Sequence, residues 1–202
     1  MPLKIADADA TMIPVDTEPS QIPAGDVVQL PIPYVQQIPG PGQKPYAELC
    51  WAACCAMVTQ ALNKCYPDKY SALPQTICRV ASTTLGKDCC PNPGDAGCDV
   101  TADVNTVYQK CGLPCTQWSN YFEWDAVKQE IGIGRRPIEV YFLWTRGGSH
   151  VALISGYKSS TQELFVLDPL YGTGWTRYAD VLAAYGLGNW TQSYYGIGFS
   201  LG

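Results

Sequence analysis

Apolar positions follow two rhythms along this chain, and the change between them divides it. From Cys50 to Asn63 the run holds Ala52, Ala53, Ala56, Met57, Ala61 and Leu62, with no Gly or Pro before Pro67. That pattern predicts a buried helix. Upstream, Pro39, Gly40, Pro41, Gly42 and Pro45 forbid helix, so it must begin close to Cys50. Further helical segments are expected around 74–82, 101–110 and 124–131, with Gly112 ending the second of these. Beyond 137 the rhythm shortens. Ile138, Val140 and Phe142 alternate with Glu139, Tyr141 and Leu143, which predicts a strand over 137–144 buried on one face and nearly so on both. Strands over 150–157 and 164–168 flank the turn-rich Lys158-Ser159-Ser160-Thr161-Gln162, an antiparallel hairpin. A short helix over 178–185 and a last strand near 194–200 complete the expectation. The fold class is therefore α+β, an N-terminal helical lobe followed by a C-terminal antiparallel sheet lobe. Residues 1–27 carry no periodicity and read as a flexible leader, a prosegment remnant or a linker, leaving 28–202 as one domain.

Composition narrows the setting. A net charge of −5 and a pI near 4.7 argue against nucleic acid or anionic membranes as partners. Ten cysteines are many for a reduced cytosolic protein and point to an oxidising, exported destination. No apolar run after Met1 is long enough for a secretory core, and no membrane span follows. Cys65, Cys78, Cys89, Cys90, Cys98, Cys111 and Cys115 are the candidate half-cystines, with connectivity left open. No Cys-x-x-Cys pair and no second histidine are present, so zinc is not expected.

The candidate chemistry rests on a scarcity. His150 is the one histidine, set between Arg146-Gly147-Gly148-Ser149 and the apolar strand that follows. Cys50, at the start of the buried helix, would lie among unsatisfied N–H groups at the positive end of the macrodipole, where a thiolate is stabilised. The bland alternative is one more half-cystine or buried thiol. The predicted hairpin brings Asp168, at the end of its second strand, back to His150 at the head of the first. A carboxylate there can hold one imidazole nitrogen and leave the other for the thiol. The alternative for Asp168 is an Asp-Pro turn starter. Trp51, Trp144, Tyr171 and Trp175 are aromatic candidates for a cleft lining, with core packing as the alternative for each. Gly147-Gly148 could admit a substrate backbone or could simply make a tight turn.

Cys50-Trp51-Ala52, a histidine after Gly-Gly-Ser at the head of a strand, and Val166-Leu167-Asp168-Pro169 on the next strand resemble papain-like cysteine peptidases. Pro33-Tyr34-Val35-Gln36-Gln37 is similar to the left flank of the compact bacterial branch, which includes staphopain-like enzymes and plant-pathogen avirulence proteases. The resemblance covers roughly residues 28–200. It implies a papain-like two-lobe fold, with Cys50 as nucleophile, His150 as general base and acid, Asp168 as the orienting residue and Gln37 as oxyanion donor. Gln37 precedes Cys50 by thirteen positions, further than the family pattern, so Gln43 competes for the last role. Leu49 replaces the usual aromatic before the nucleophile, and Asp168 stands where plant papains have asparagine. The implied function is a cysteine endopeptidase working through a thioester acyl-enzyme, as an exported effector or toxin. An acyltransferase, a glutamine deamidase, or a disulfide-rich binding module without catalysis are the alternatives. No cofactor is implied. The expected partners are a protein or peptide substrate and an inhibitor or immunity protein, and the expected state is a monomer.

Overall fold

The computed structural model describes residues 26–38, 43–198 and 200–201. Helices occupy the N-terminal part and an antiparallel sheet the C-terminal part, as the two rhythms predict. The expected leader lies outside the described residues except for its last two positions. These belong to the body: Val27 opens β1 (Val27–Gln29), and Asp26 accepts the Ser160 hydroxyl and backbone N–H.

α1 (Cys50–Cys65) is the central helix, buried along Trp51–Thr59 and again at Ala61 and Leu62. Its alanines let neighbours approach closely, and it packs against α3 (Ile77–Leu85), α4 (Val104–Lys110) and the sheet. The short α2 (Pro67–Tyr70) follows it directly. Thr59 Oγ1 donates to the Pro74 carbonyl at 2.6 Å, tying the next loop to α1. Thr76 and Asp103 cap α3 and α4 by accepting the N–H groups of Arg79 and Thr106. The disulfide Cys78–Cys90 sews the loop after α3 onto that helix, and Cys89–Cys98 closes the loop on itself, where there is little to bury. Cys65, Cys111 and Cys115, candidates for pairing by sequence, are free thiols.

The sheet strands are β2 (Thr116–Trp118), β3 (Ile138–Trp144), β4 (Ser149–Lys158), β5 (Glu163–Asp168), β6 (Gly172–Arg177) and β7 (Gly188–Tyr195). They run in the order β2-β7-β3-β4-β5-β6, with β1 added to β4. Between β2 and β3 lies α5 (Trp124–Lys128), continued by a π-helical turn over Gln129–Ile133; α6 (Tyr178–Leu182) links β6 to β7. The β4–β5 hairpin forms as predicted, in the register Leu153↔Leu167. A shift between Ile154 and Gly156 lets β1 cross close by: a Cβ at Gly156 would lie 2.6 Å from the Val28 carbonyl oxygen. Three expectations need correction. β6 is unpredicted, because Gly172 and Gly174 suppress its strand signal. The last strand lies earlier than 194–200, since its leading Gly188 and Asn189 look like turn residues. The helix expected over 178–185 stops at Leu182, and Ala184 and Tyr185 take left-handed backbone, φ 43° and 59°.

Candidate active site

Cys50 is the first residue of α1, and Leu49 before it provides no side-chain cap. The first turn carries no acidic residue, so nothing anionic competes for its N–H groups. Asp99 stiffens the approach instead, accepting the N–H groups of Ala47 and Glu48 at 2.8 and 2.7 Å. One turn into the helix, Cys54 is fully buried and turns its thiol to the Val151 carbonyl. Burial pushes the Cys54 thiol well above the ordinary range, aided by Glu139, Cys50 and Asp168. Its hydrogen bond to Cys111 and its burial do the same for Cys55. Cys50 is only partly buried, and it is the thiol of this helix that acts on His150.

His150 stands second in β4, opposite Phe142 on β3. The turn before it is closed by the Trp144 N–H to the Gly148 carbonyl at 3.0 Å, with Gly147 and Gly148 at φ 91° and 84°. Only glycine holds those angles without strain, so the glycine pair is a tight turn. The side chain is 5% exposed. Trp144 stacks on one face, centroids 5.8 Å apart and planes 16° from parallel, and Tyr171 meets its edge at 5.9 Å.

Asp168 Oδ1 lies 2.8 Å from His150 Nε2 and also accepts the N–H groups of Leu170 and Tyr171 at 2.9 and 3.0 Å. Tyr185 donates its hydroxyl to Oδ2 at 3.1 Å, and Tyr34 donates to the Asp168 carbonyl at 2.9 Å. The two sequence readings of Asp168 thus coexist: one oxygen both starts the turn and holds the imidazole. With Nε2 engaged, Nδ1 is the nitrogen left for Cys50. Burial works against charging His150, but the hydrogen bonds to Asp168 and Cys50 and their negative charge outweigh it, raising its pKa to about 9.

Gln37 is buried and held from both sides. Its N–H donates to the carbonyl of Pro169, beside Asp168, and its carbonyl accepts the N–H of Tyr46, four positions before Cys50. Its Nε2 donates to the Tyr46 carbonyl at 2.5 Å, and its Oε1 has no partner among the described residues. The thirteen-position gap is therefore closed by pairing Gln37 with Tyr46. The expected inserted loop over 38–45 lies partly outside the described residues. Gln43 is exposed, in a pocket with Pro45 and Pro91.

The structure brings Cys50, His150, Asp168 and Gln37 into one neighbourhood. It separates the aromatic candidates: Trp144 and Tyr171 flank the imidazole, whereas Trp51 is core, its indole N–H donating to Val100. Trp175 packs on Phe165 and under Lys158, on the β5–β6 hairpin. Sequence reasoning missed Tyr185 and Tyr34, whose contacts to Asp168 are non-local and leave no local signal.

Among solved structures, the chain is similar to a double glycine motif protease from an AMS/PCAT transporter in complex with its leader peptide. Identity is 14% and the TM-score 0.45, over 83% of this chain and 92% of that one. It is also similar to xylellain, a cysteine protease from Xylella fastidiosa, at 12% identity and TM-score 0.45, over 90% and 89% of the two chains. A C39-like peptidase from Bacillus anthracis aligns at 12% identity and TM-score 0.49, over 84% and 96%. No protein with a curated description matches in sequence. The family match supports the cysteine-peptidase part of the sequence resemblance and does not extend to its staphopain-like or avirulence-protease branch. Residues 29–197 match the model of the Peptidase_C39 like family, and the chain belongs to that family of cysteine peptidases.

Proposed function

We propose that the protein is a cysteine endopeptidase whose nucleophile is Cys50, with His150 as acid and base, Asp168 as the orienting carboxylate and Gln37 as an oxyanion donor. One observation carries the reading. The sole imidazole is hydrogen-bonded to a buried carboxylate already satisfied by three other donors, and Cys50, at a helix N-terminus, lies near enough to help raise its pKa. The hydrogen bond and negative charge of Asp168 favour imidazolium over imidazole. An imidazolium favours thiolate at Cys50.

The steps follow from that charge arrangement. The Cys50 thiolate attacks the peptide carbonyl carbon, and the carbonyl oxygen takes the negative charge. The Cys50 N–H and the second amide proton of Gln37 Nε2 are its donors. Collapse breaks the C–N bond as His150 passes its proton to the leaving amine, giving a thioester. Water then attacks the thioester, losing a proton to His150, and the acid product leaves with Cys50 regenerated as thiolate. Peptide or protein chains are the substrates. An oxidising, exported destination belongs to the same proposal, supported by the two disulfides of the helical part.

Brief exposure to iodoacetamide below pH 7, followed by peptide mapping, tests the assignment. Cys50 should carry the single label, and the label should vanish in His150→Ala. Peptide cleavage retained by Cys50→Ala would sink the reading.

A further inference from the structure

Past Asp168 and Tyr171 the site opens into a cavity of about 340 Å³. Val166, Asp168, Tyr171, Gly174, Tyr185 and Leu187 form most of its wall. Tyr171 joins it to the imidazole, its ring 5.9 Å from His150 and 6.0 Å from Tyr185. Exposed apolar side chains gather at this end. Tyr171 is 60% exposed, Leu187 50% and Leu143 51%, with the Leu187 carbonyl fastened to the Thr145 N–H close to Leu143. They are three of the four large apolar residues at least half exposed among the described residues, so the exposure is concentrated rather than scattered.

The cavity also has room that the chain itself does not fill. Gly174 lies in β6, and a Cβ placed on it meets no atom within 4 Å. Asp168 is the one charged residue on the wall among the described residues, and its carboxylate is 2% exposed and engaged by four donors. A charged side chain entering here would meet only the neutral hydroxyls of Thr173 and Thr176 and of the tyrosines, with no free opposite charge to pair with. An apolar one would bury its surface against Val166, Tyr171 and Leu187.

Chemistry decides which part of a substrate arrives there. His150 must protonate the leaving amine, so the residue bearing that amine lies against the imidazole, while the acyl part stays at Cys50. We propose that the groove between Tyr171, Gly174 and Leu187 binds an apolar side chain of the substrate just C-terminal to the scissile bond. The preferred substrates are thus peptides with an aliphatic or aromatic residue at the first or second position after the cut. This inference rests on the catalytic roles proposed above.

A proteome-derived peptide library, digested with the full chain, reads this directly from the new N-termini it creates. Leu, Ile, Met and Phe should be enriched there about tenfold, the order expected for burying apolar groups in a specificity pocket. Gly174→Leu, which fills the groove, should switch the preference to Gly and Ala. Leu187→Asp, which sets a charge at the rim, should lose most of the enrichment. A switch of preference, unlike a loss of rate, cannot come from misfolding. No apolar enrichment in the wild type, or an unchanged preference in Gly174→Leu, would overturn the subsite with the peptidase reading intact. A wild type that cleaves no peptide would overturn both together.

Discussion

Tyr185 sets its phenol 3.1 Å from Asp168 Oδ2 while its own backbone is held in the left-handed region, at φ 59°. A tyrosine gains nothing locally from that backbone, which costs on the order of 1–3 kcal/mol for a residue with a side chain. Ala184 beside it is held at φ 43°, so two consecutive residues are strained. The compensation is tertiary: the ring packs on Phe142 and Tyr171, and the hydroxyl completes the shell of Asp168. Tyr185→Phe keeps the ring and removes the donor, leaving a buried carboxylate oxygen unpaired at about 1–3 kcal/mol. The expected result is a kcat/KM lower by about tenfold with the fold retained. An unchanged kcat/KM would show that the phenol does not support the carboxylate.

Asp168→Asn separates charge from geometry at the same place. The amide oxygen can still accept from His150, Leu170 and Tyr171, and the Tyr185 hydroxyl can turn to accept from the new NH₂. The turn should therefore survive, whereas Asp168→Ala would release it. What is lost is the negative charge that helps raise His150. We expect kcat/KM to fall by about 10- to 100-fold, at or below the low end of the 10²–10⁴-fold at stake in the acid–base step. The alkaline limit of activity should move to lower pH. A limit that stays in place would mean that Asp168 acts on His150 by position alone.

How much of this was legible in the sequence depends on how local each cause is. The start of α1 at Cys50 could be read because the Pro-Gly run before it excludes helix. The approach of Asp168 to His150 could be read because one short hairpin joins them. Glu139 was expected on the less buried side of its strand, yet it is fully buried, because its partner Tyr108 comes from a helix 31 positions away. β6 was hidden by glycines that leave a groove open, and Tyr185 by a backbone angle that no propensity favours. The disulfides could not be assigned from spacing, since Cys89 and Cys90 are adjacent and pair in different directions.

Two reactions at Cys50 should part company at high pH. His150 titrates near 9, held up by Asp168 and Cys50 against the opposing effect of its burial. Peptide cleavage needs the imidazolium proton for the leaving amine, so kcat/KM should fall about tenfold per pH unit above that value. Iodoacetamide brings its own leaving group and needs only thiolate, so labelling of Cys50 should not fall. The same shift acts on folding. A histidine raised from 6.5 to about 9 stabilises the fold fully below 6.5 and loses that contribution as pH rises through 9. Labelling and cleavage followed side by side, with circular dichroism to confirm folding, test this. Cys50 labelling that falls in parallel with cleavage while the fold is retained would contradict it.

Glu139 should impose a second, separable pH dependence. It is fully buried on β3, with Tyr108 donating to Oε2 at 2.5 Å and Oε1 unpaired among the described residues. Burial drives its pKa up to about 8, against the lowering effects of the Tyr108 bond and the His150 charge. A carboxyl raised in this way binds its proton more tightly folded than unfolded. Its contribution to stability is therefore full below 4.5, declines as pH rises, and is gone above about 8. Glu139→Gln still offers Tyr108 an acceptor and cannot ionise. Relative to the variant, the wild type should lose thermal stability steadily from about pH 5 to about pH 8. Comparing the two chains cancels the His150 contribution common to both. A Tm difference that stays constant over that range would show that Glu139 is as ionised in the folded chain as in the unfolded one, and the burial argument would fail.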